Sequence, residues 1–376
     1  MTSLLEKIRP QNEGQNKVLE ALMNEKYTIV GIFGPTGSGK SLLTLAYGID
    51  AVTQGKYRRF LVVKPLVDVV SGKEYTMTEA KEEFEKLSRQ YLIDVIGTFL
   101  TQNEIDDLIK SEKISIIDGH FLKGRTFDDT LVFLDDAQNI KLEALIELIV
   151  RLGKKSRLII AADPIFQKSP YAPINLMRDI LSNEQNAIVV DLGVRDVVRE
   201  GAKVGIRFLL EYTLRSRKLG DTELKALEVI RAHSPDADIV TLIDLDELIK
   251  KYGISSDYVP RYLVIVKQGY LGRLVGKGGE RINAVEKELN AKVRAIELDV
   301  NLSNYIRAIH PVSWIWKKIE VDFMGAYIAI KTSSDNLGPL LGQKGSYIRF
   351  LHEVSERLLG IGVKVIQVEE EEKKKK

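Results

Sequence analysis

The sequence predicts an α/β protein, a parallel sheet with helices on both faces, followed by two smaller α+β units. Three observations predict it. Short, continuous apolar runs alternate with helical stretches up to about residue 212. A glycine-rich segment, GPTGSGKS (34–41), lies between one such run and the helix after it. In the last third, LVGKGGERI (274–282) and LLGQKGSYI (340–348) repeat one pattern, their first glycines 66 residues apart.

The apolar runs come in order: YTIVGIF (27–33), FLVVKP (60–65), KISII (113–117), LVFLD (131–135), RLIIAA (157–162) and AIVVDL (187–192). Continuous rather than alternating apolar strands suit a sheet buried on both faces, with functional loops at the carboxyl ends of its strands. Residues 213–259 lack this rhythm and contain the breaker HSPDAD (233–238), so they are expected to be a connector. The repeated units follow at 260–300 and 301–368, the second with a joining helix around NYIRAIHPV (304–312). The tail EEEEKKKK (369–376) is expected to be disordered.

Length and composition agree. At 376 residues the chain is too long for one ordinary core, and 44% apolar with 29% charged residues is globular. No apolar run reaches the ~20 residues of a membrane span, and MTSLLEKIRPQN lacks the apolar centre of a secretion signal. With no cysteine, disulfides, zinc ribbons and cysteine nucleophiles are excluded, and a reducing cytoplasm is the expected location. The net charge of +2 is uneven: residues 261–368 carry 16 Lys+Arg against 10 Asp+Glu, which leaves the part before them acidic. A basic C-terminal part fits a polyanionic partner.

GPTGSGKS is a complete G-x-x-x-x-G-K-S phosphate loop with a strand before it and a helix after it. Its glycines let backbone N–H groups crowd around phosphate oxygens, and the helix N-terminus adds its positive end. Gly34, Pro35, Thr36, Gly37, Ser38, Gly39, Lys40, Ser41 and Leu42 are therefore the expected ATP-binding residues. Lys40 reaches the β- and γ-phosphates and Ser41 ligates Mg2+. The second Mg2+ ligand must come from a neighbouring strand end, and Asp135, after the apolar LVFL, fits. Asp136 is placed to act on the attacking water, one methylene shorter than the glutamate common there; capping of the next helix is the plainer alternative for it.

Gln138 and Asn139 narrow the class. LDDAQN resembles the DEAQ-type box of superfamily-one helicases, and more closely the LDEAQN of PhoH-family ATPases. RPQNEGQ (9–15) resembles the family's opening, which implies that Gln15 reads the adenine edge. VVKPLV (62–67), KGRTF (123–127), AADPIFQ (161–167) and RDVVREG (195–201) resemble its later motifs in order. The resemblance implies an ATPase with RNA-directed or helicase-like activity. It also implies RNA contacts at Lys64 and Arg125, a sensor at Asp163 and Gln167, and homo-oligomers, commonly hexameric rings. Arg199 would contact the γ-phosphate, across a subunit boundary in such a ring. Catalysis would rest on Lys40, Asp135, Asp136, Gln138 and Arg199.

Each repeated unit reads strand, G-x-x-G between helices, strand, which resembles a type II KH domain; the tandem resembles the pair in the transcription factor NusA. Gly276, Lys277, Gly278 and Gly279, and Gly342, Gln343, Lys344 and Gly345, are the expected RNA-binding loops, each clamping about four nucleotides of single strand. A KH clamp accepts DNA as well as RNA. Trp314 and Trp316 are expected to be buried between the units rather than to stack on bases. Arg215 and Arg217 face either RNA or solvent, and four scattered histidines do not suggest a metal site. The functional expectation is an RNA-dependent ATPase that remodels or unwinds RNA. The alternative is an ATP-gated RNA-binding adaptor that hydrolyses slowly.

Overall fold

The computed structural model describes residues 3–67, 74–75, 81–118, 126–166 and 174–368. The strands are β1 (Ile29–Phe33), β2 (Arg59–Val63), the short pair β3 (Leu66–Val67) and β4 (Glu74–Tyr75), β5 (Ile114–Ile117), β6 (Thr130–Leu134), β7 (Arg157–Ala162) and β8 (Ala187–Asp191). Six of them make one parallel sheet in the order β5-β2-β6-β7-β1-β8. All six apolar runs became these strands. β1, β6 and β7 are buried at every position, as strands covered on both faces must be.

One face is covered by helices α1 (Leu4–Lys7), α2 (Glu13–Met23), α3 (Lys40–Thr53), α4 (Lys81–Ile96) and α5 (Gln102–Lys110). Phe60 and Phe133 from adjacent strands stack on that face at 6.4 Å. Truncating either to alanine would cost about 3–5 kcal/mol. The other face carries α6 (Leu142–Val150) and α7 (Ile174–Ser182), through Leu145, Leu148, Met177 and Leu181.

The chain divides into two compact units at Lys203/Val204, within α8 (Glu200–Arg215) and ahead of the expected boundary at 212, with Met324–Ala326 counted in the first unit. In the second unit the expected connector is largely structured. Residues after Gly220 form α9 (Asp221–His233), β9 (Ile239–Asp244) and α10 (Asp246–Tyr252). β9 pairs antiparallel with β10 (Tyr262–Val266), which is parallel to β11 (Val293–Glu297). HSPDAD is only the turn from α9 into IVTLID, and Ala226, Ile230 and Leu242 join the core of the first small sheet. Between β10 and β11 run α11 (Leu271–Val275) and α12 (Glu280–Leu289), on either side of the first G-x-x-G.

The second small unit repeats the order: α13 (Ser303–Ile309), β12 (Ile319–Met324), β13 (Tyr327–Thr332), α14 (Ser334–Leu341), α15 (Ser346–Leu359) and β14 (Val363–Gln367). Helix, two strands, two helices around G-x-x-G and a final strand is the type II KH arrangement, present twice, the first copy with α10 inserted between its first two strands. α10 joins α15 through Glu353, which accepts from Lys251 at 2.6 Å and Tyr252 at 2.5 Å.

Candidate functional site

The sheet order sets up the site. β2, β6, β7 and β1 lie side by side, so the residues after them form a row: Lys64, Asp135, Asp163 and Gly34. The loop from Gly34 to Lys40 turns on Gly37 and Gly39, at φ +89° and +95°. A side chain at Gly39 would be strained there, and its Cβ would lie 2.8 Å from the Gln15 amide nitrogen. α3 begins at Lys40 and presents its N-terminus at the loop.

A cleft of about 350 Å³ opens over this row, lined among others by Thr36, Lys40, Ser41, Leu42, Asp135, Asp136 and Arg199. Lys40 is 8% exposed and donates to the carbonyls of Gly34 (2.7 Å) and Pro35 (2.9 Å). Burial lowers its pKa, against the pull of Asp163, Asp135 and Asp136. The Ser41 hydroxyl donates to Asp135, with both carboxylate oxygens at 3.0 Å. A hydroxyl and a carboxylate oxygen meeting at the head of a phosphate loop are a donor set suited to Mg2+.

Asp135 is 1% exposed and also accepts from Tyr91 Oη at 2.6 Å and Lys64 Nζ at 3.0 Å. Lys64 pairs with Asp136 as well, and its ammonium lies 4.8 Å from the Tyr91 ring centre. Burial pushes the Lys64 pKa down, but the two carboxylates outweigh it and raise it. Burial pushes the Tyr91 phenol well up, reinforced by Asp135, which keeps it a donor. Two adjacent carboxylates at a strand mouth are thus tolerated because a cation and a phenol face them.

Asp136 sits in the left-handed region, φ +52° and ψ +46°. Burial raises its pKa, yet Lys64 and the Gln138 amide overcome this and hold it below the ordinary carboxylate value. Gln138 is buried and bridges two motifs: Nε2 donates to Asp136 (3.3 Å), and Oε1 accepts from the backbone N–H of Asp163 (3.1 Å). Asp163 in turn accepts from the Thr36 backbone N–H (2.8 Å) and hydroxyl (3.2 Å). A continuous chain of hydrogen bonds therefore runs Asp136–Gln138–Asp163–Thr36, from the acidic box into the phosphate loop.

The remaining expected residues are placed as follows. The side chain of Gln15 holds the loop: it donates to the Ser38 carbonyl (3.0 Å) and accepts from the Gln11 N–H (2.8 Å). Lys64, expected at RNA, lies in the nucleotide cleft with 13% of its side chain exposed, because two carboxylates hold it there. Arg199 is exposed at the rim of the same cleft. Arg125 and Gln167 lie outside the described residues. Tyr91, on α4 and distant in sequence from every motif, was not expected; nothing in KEEFEKLSRQYLIDVI marks it.

The two G-x-x-G loops share one backbone. Gly276 and Gly342 have φ/ψ of 77°/172° and 71°/174°; the third positions, Gly278 and Lys344, have φ +64° and +51°; Gly279 and Gly345 have +87° and +74°. Lys277, Gly278, Gln343 and Lys344 are exposed. Close approach is built in: a Cβ at Gly342 would fall 2.4 Å from the Tyr347 ring, and one at Gly276 2.7 Å from Arg281 Cγ. Trp314, expected to be buried, is 44% exposed; Ile315 takes the core position instead, in the 3-10 turn Ile315–Lys318. Arg215 pairs with Glu211 and Asp238, and Arg217 with Glu223, so both serve the fold.

Residues 7–211, more than half of the chain, match the PhoH-like protein family. The chain belongs to that family. Residues 243–305 match the KH domain family, which includes β9's last residues and so agrees with the strand pairing. Similar proteins include "Protein PhoH2" of Bacillus subtilis, 28% identical over 44% of this chain and 38% of its own length. The "PhoH-like protein" of Mycobacterium leprae is 27% identical over 51% of this chain and 55% of its own. This PhoH-like chain thus spans only part of the length of these relatives. The Pyrococcus furiosus Hef helicase domain aligns with 76% of this chain and 53% of its own, at 12% identity and a TM-score of 0.32, too low to bear on function. Among the described residues no helix is long and apolar enough to cross a membrane.

Proposed function

We propose that this PhoH-like chain is an RNA-dependent ATPase that holds single-stranded RNA in its KH loops and remodels or unwinds it at the expense of Mg-ATP. The observation that carries the reading is the hydrogen-bond chain Asp136–Gln138–Asp163–Thr36. It gives the acidic box and the phosphate loop one shared set of contacts, which a change at the γ-phosphate would disturb as a unit.

The residues divide the work. The phosphate-loop N–H groups and Lys40 bind the phosphates, Lys40 exchanging its two carbonyl acceptors for phosphate oxygens. Ser41 and Asp135 would hold Mg2+, which supplies charge neutralisation at the phosphoryl oxygens. Asp136, held low by Lys64, accepts a hydrogen bond and so orients water better than it stores a proton. Gln138 fixes that carboxylate, and Arg199 at the rim stabilises the developing charge, from the same chain or a neighbouring copy in a homo-oligomeric ring. A cysteine-free chain suits a reducing cytoplasm.

A second reading is favoured by one observation. Asp136 is tied to Lys64, which suits slow turnover and a nucleotide that gates RNA binding without unwinding. Phosphate release from Mg-ATP, with and without single-stranded RNA and with Lys40→Ala as the blank, separates the two. Stimulation by RNA supports the motor, and slow turnover indifferent to RNA supports the gate. DNA in place of RNA in the same assay identifies the polymer.

A further inference from the structure

A cavity of about 440 Å³ lies in the second unit, lined by Tyr258, Arg294, Glu297, Asn304, Arg307 and the apolar Leu271 with its neighbours. We infer that it is a nucleotide subsite for the stretch of single-stranded RNA running between the two G-x-x-G clamps, a proposal that rests on the RNA reading above.

Position comes first. Leu271 opens α11, which ends at Gly276 of the first clamp. Arg307 and Ala308, which also line the cavity, are on α13, whose last turn leads into His310. The His310 ring bonds the Leu340 carbonyl at 3.1 Å, two residues before Gly342 of the second clamp. The cavity is therefore bounded by the helix that leads into the first clamp and by one whose next residue bonds the helix leading into the second.

Its chemistry matches a nucleotide. Arg294 lies 4.0 Å over the Tyr258 ring and donates to the Ala308 carbonyl at 2.8 Å. Arg307 lies 4.7 Å over the Trp316 ring. Each guanidinium thus lies over an aromatic ring, and no carboxylate pairs with either among the described residues. The nearby carboxylate, Glu297, is turned to the backbone N–H groups of Gly269 and Leu271. A planar cation with a free face stacks a base, and its edge bonds a phosphate. Leu271, Ala295, Ile296 and Ala308 supply the apolar floor a base needs.

The test uses the full chain and fluorescence anisotropy with labelled oligouridines of about 12 and about 4 nucleotides, the shorter filling one clamp alone. Arg307→Ala should weaken the long RNA about tenfold, the scale of one lost base stack. The slope of log affinity against log salt should fall by about 0.7, one phosphate contact. The short RNA should bind as before. Arg294→Ala should behave alike, and Arg307→Lys should recover the salt slope without full affinity. In Trp314→Phe, where Trp316 is the only tryptophan left, the long RNA should quench fluorescence and the short RNA should not. Equal loss on both lengths, or no loss on either, overturns the subsite while leaving the clamps in place. Failure of the unaltered chain to bind either RNA overturns the RNA reading and the subsite with it.

Discussion

In the nucleotide loop, left-handed glycines lead into buried side chains: Lys40, Asp135, Gln138 and Asp163, with the half-buried Ser41, bond one another or the loop backbone. In the two clamps, glycine turns of similar φ lead into solvent, and the middle residues are exposed. The first site is a network of buried polar atoms, where removing one partner strands another. The second is a backbone shape with added charge, duplicated, where each contact is small and contributions add. Single substitutions should therefore be severe in the first region and graded in the second.

The largest expected effect is at Lys40. Lys40→Ala should lower ATP turnover by about 10²–10³-fold, read as phosphate release. Gln138→Ala comes next, expected to cut kcat by about tenfold to hundredfold with little change in KM, because it loosens Asp136 directly and reaches the loop only through Asp163. Its Tm should fall too, since the Asp163 N–H loses its acceptor, a cost of about 1–3 kcal/mol. In the clamps, Gly276→Asp or Gly342→Asp alone should weaken RNA binding about tenfold and the pair multiplicatively, with RNA-free ATP turnover unchanged.

Two smaller effects sharpen the comparison. Lys344 holds φ +51° where the first clamp has glycine, so Lys344→Gly should gain up to about 1 kcal/mol in stability while losing a few-fold in RNA affinity through the missing charge. At Glu353, Lys251 and then Tyr252 outweigh the slight effect of burial and, with Arg357, hold the carboxyl at about 2, below its ordinary 4.5. A lowered folded-state value means its stabilisation is present above about pH 4.5 and lost as pH falls toward about 2. Glu353→Gln should flatten the Tm-against-pH curve in that window and leave it unchanged near neutrality.

Much of this was legible in the sequence because the signals are local. The phosphate loop, Asp135 after its apolar strand, and both G-x-x-G turns are short contiguous patterns whose backbone demands show in residue type. What was not legible comes from elements meeting in space. Tyr91 reaches Asp135 only because α4 lies beside α3, and Lys64 reaches both carboxylates because β2 and β6 are neighbours, an order no strand's own sequence encodes. Gln138's bridge to Asp163 likewise needs β6 beside β7. β9 is hidden in the connector because the breaker run HSPDAD stands directly before the six residues IVTLID, a strand isolated from the apolar rhythm of the first domain. The alternation of Trp314 and Trp316 reads as a strand, whereas the chain makes a 3-10 turn there that puts Ile315 inward and leaves Trp314 exposed.

The most direct test of the account is whether the clamps drive the nucleotide site. Steady-state ATP turnover of the full chain should rise several-fold with single-stranded RNA. That rise should shrink with salt and vanish in the Gly276→Asp, Gly342→Asp double variant, whose RNA-free rate stays unchanged. Turnover that ignores RNA while the unaltered chain still binds it, or stimulation that survives in the double variant, would contradict the account.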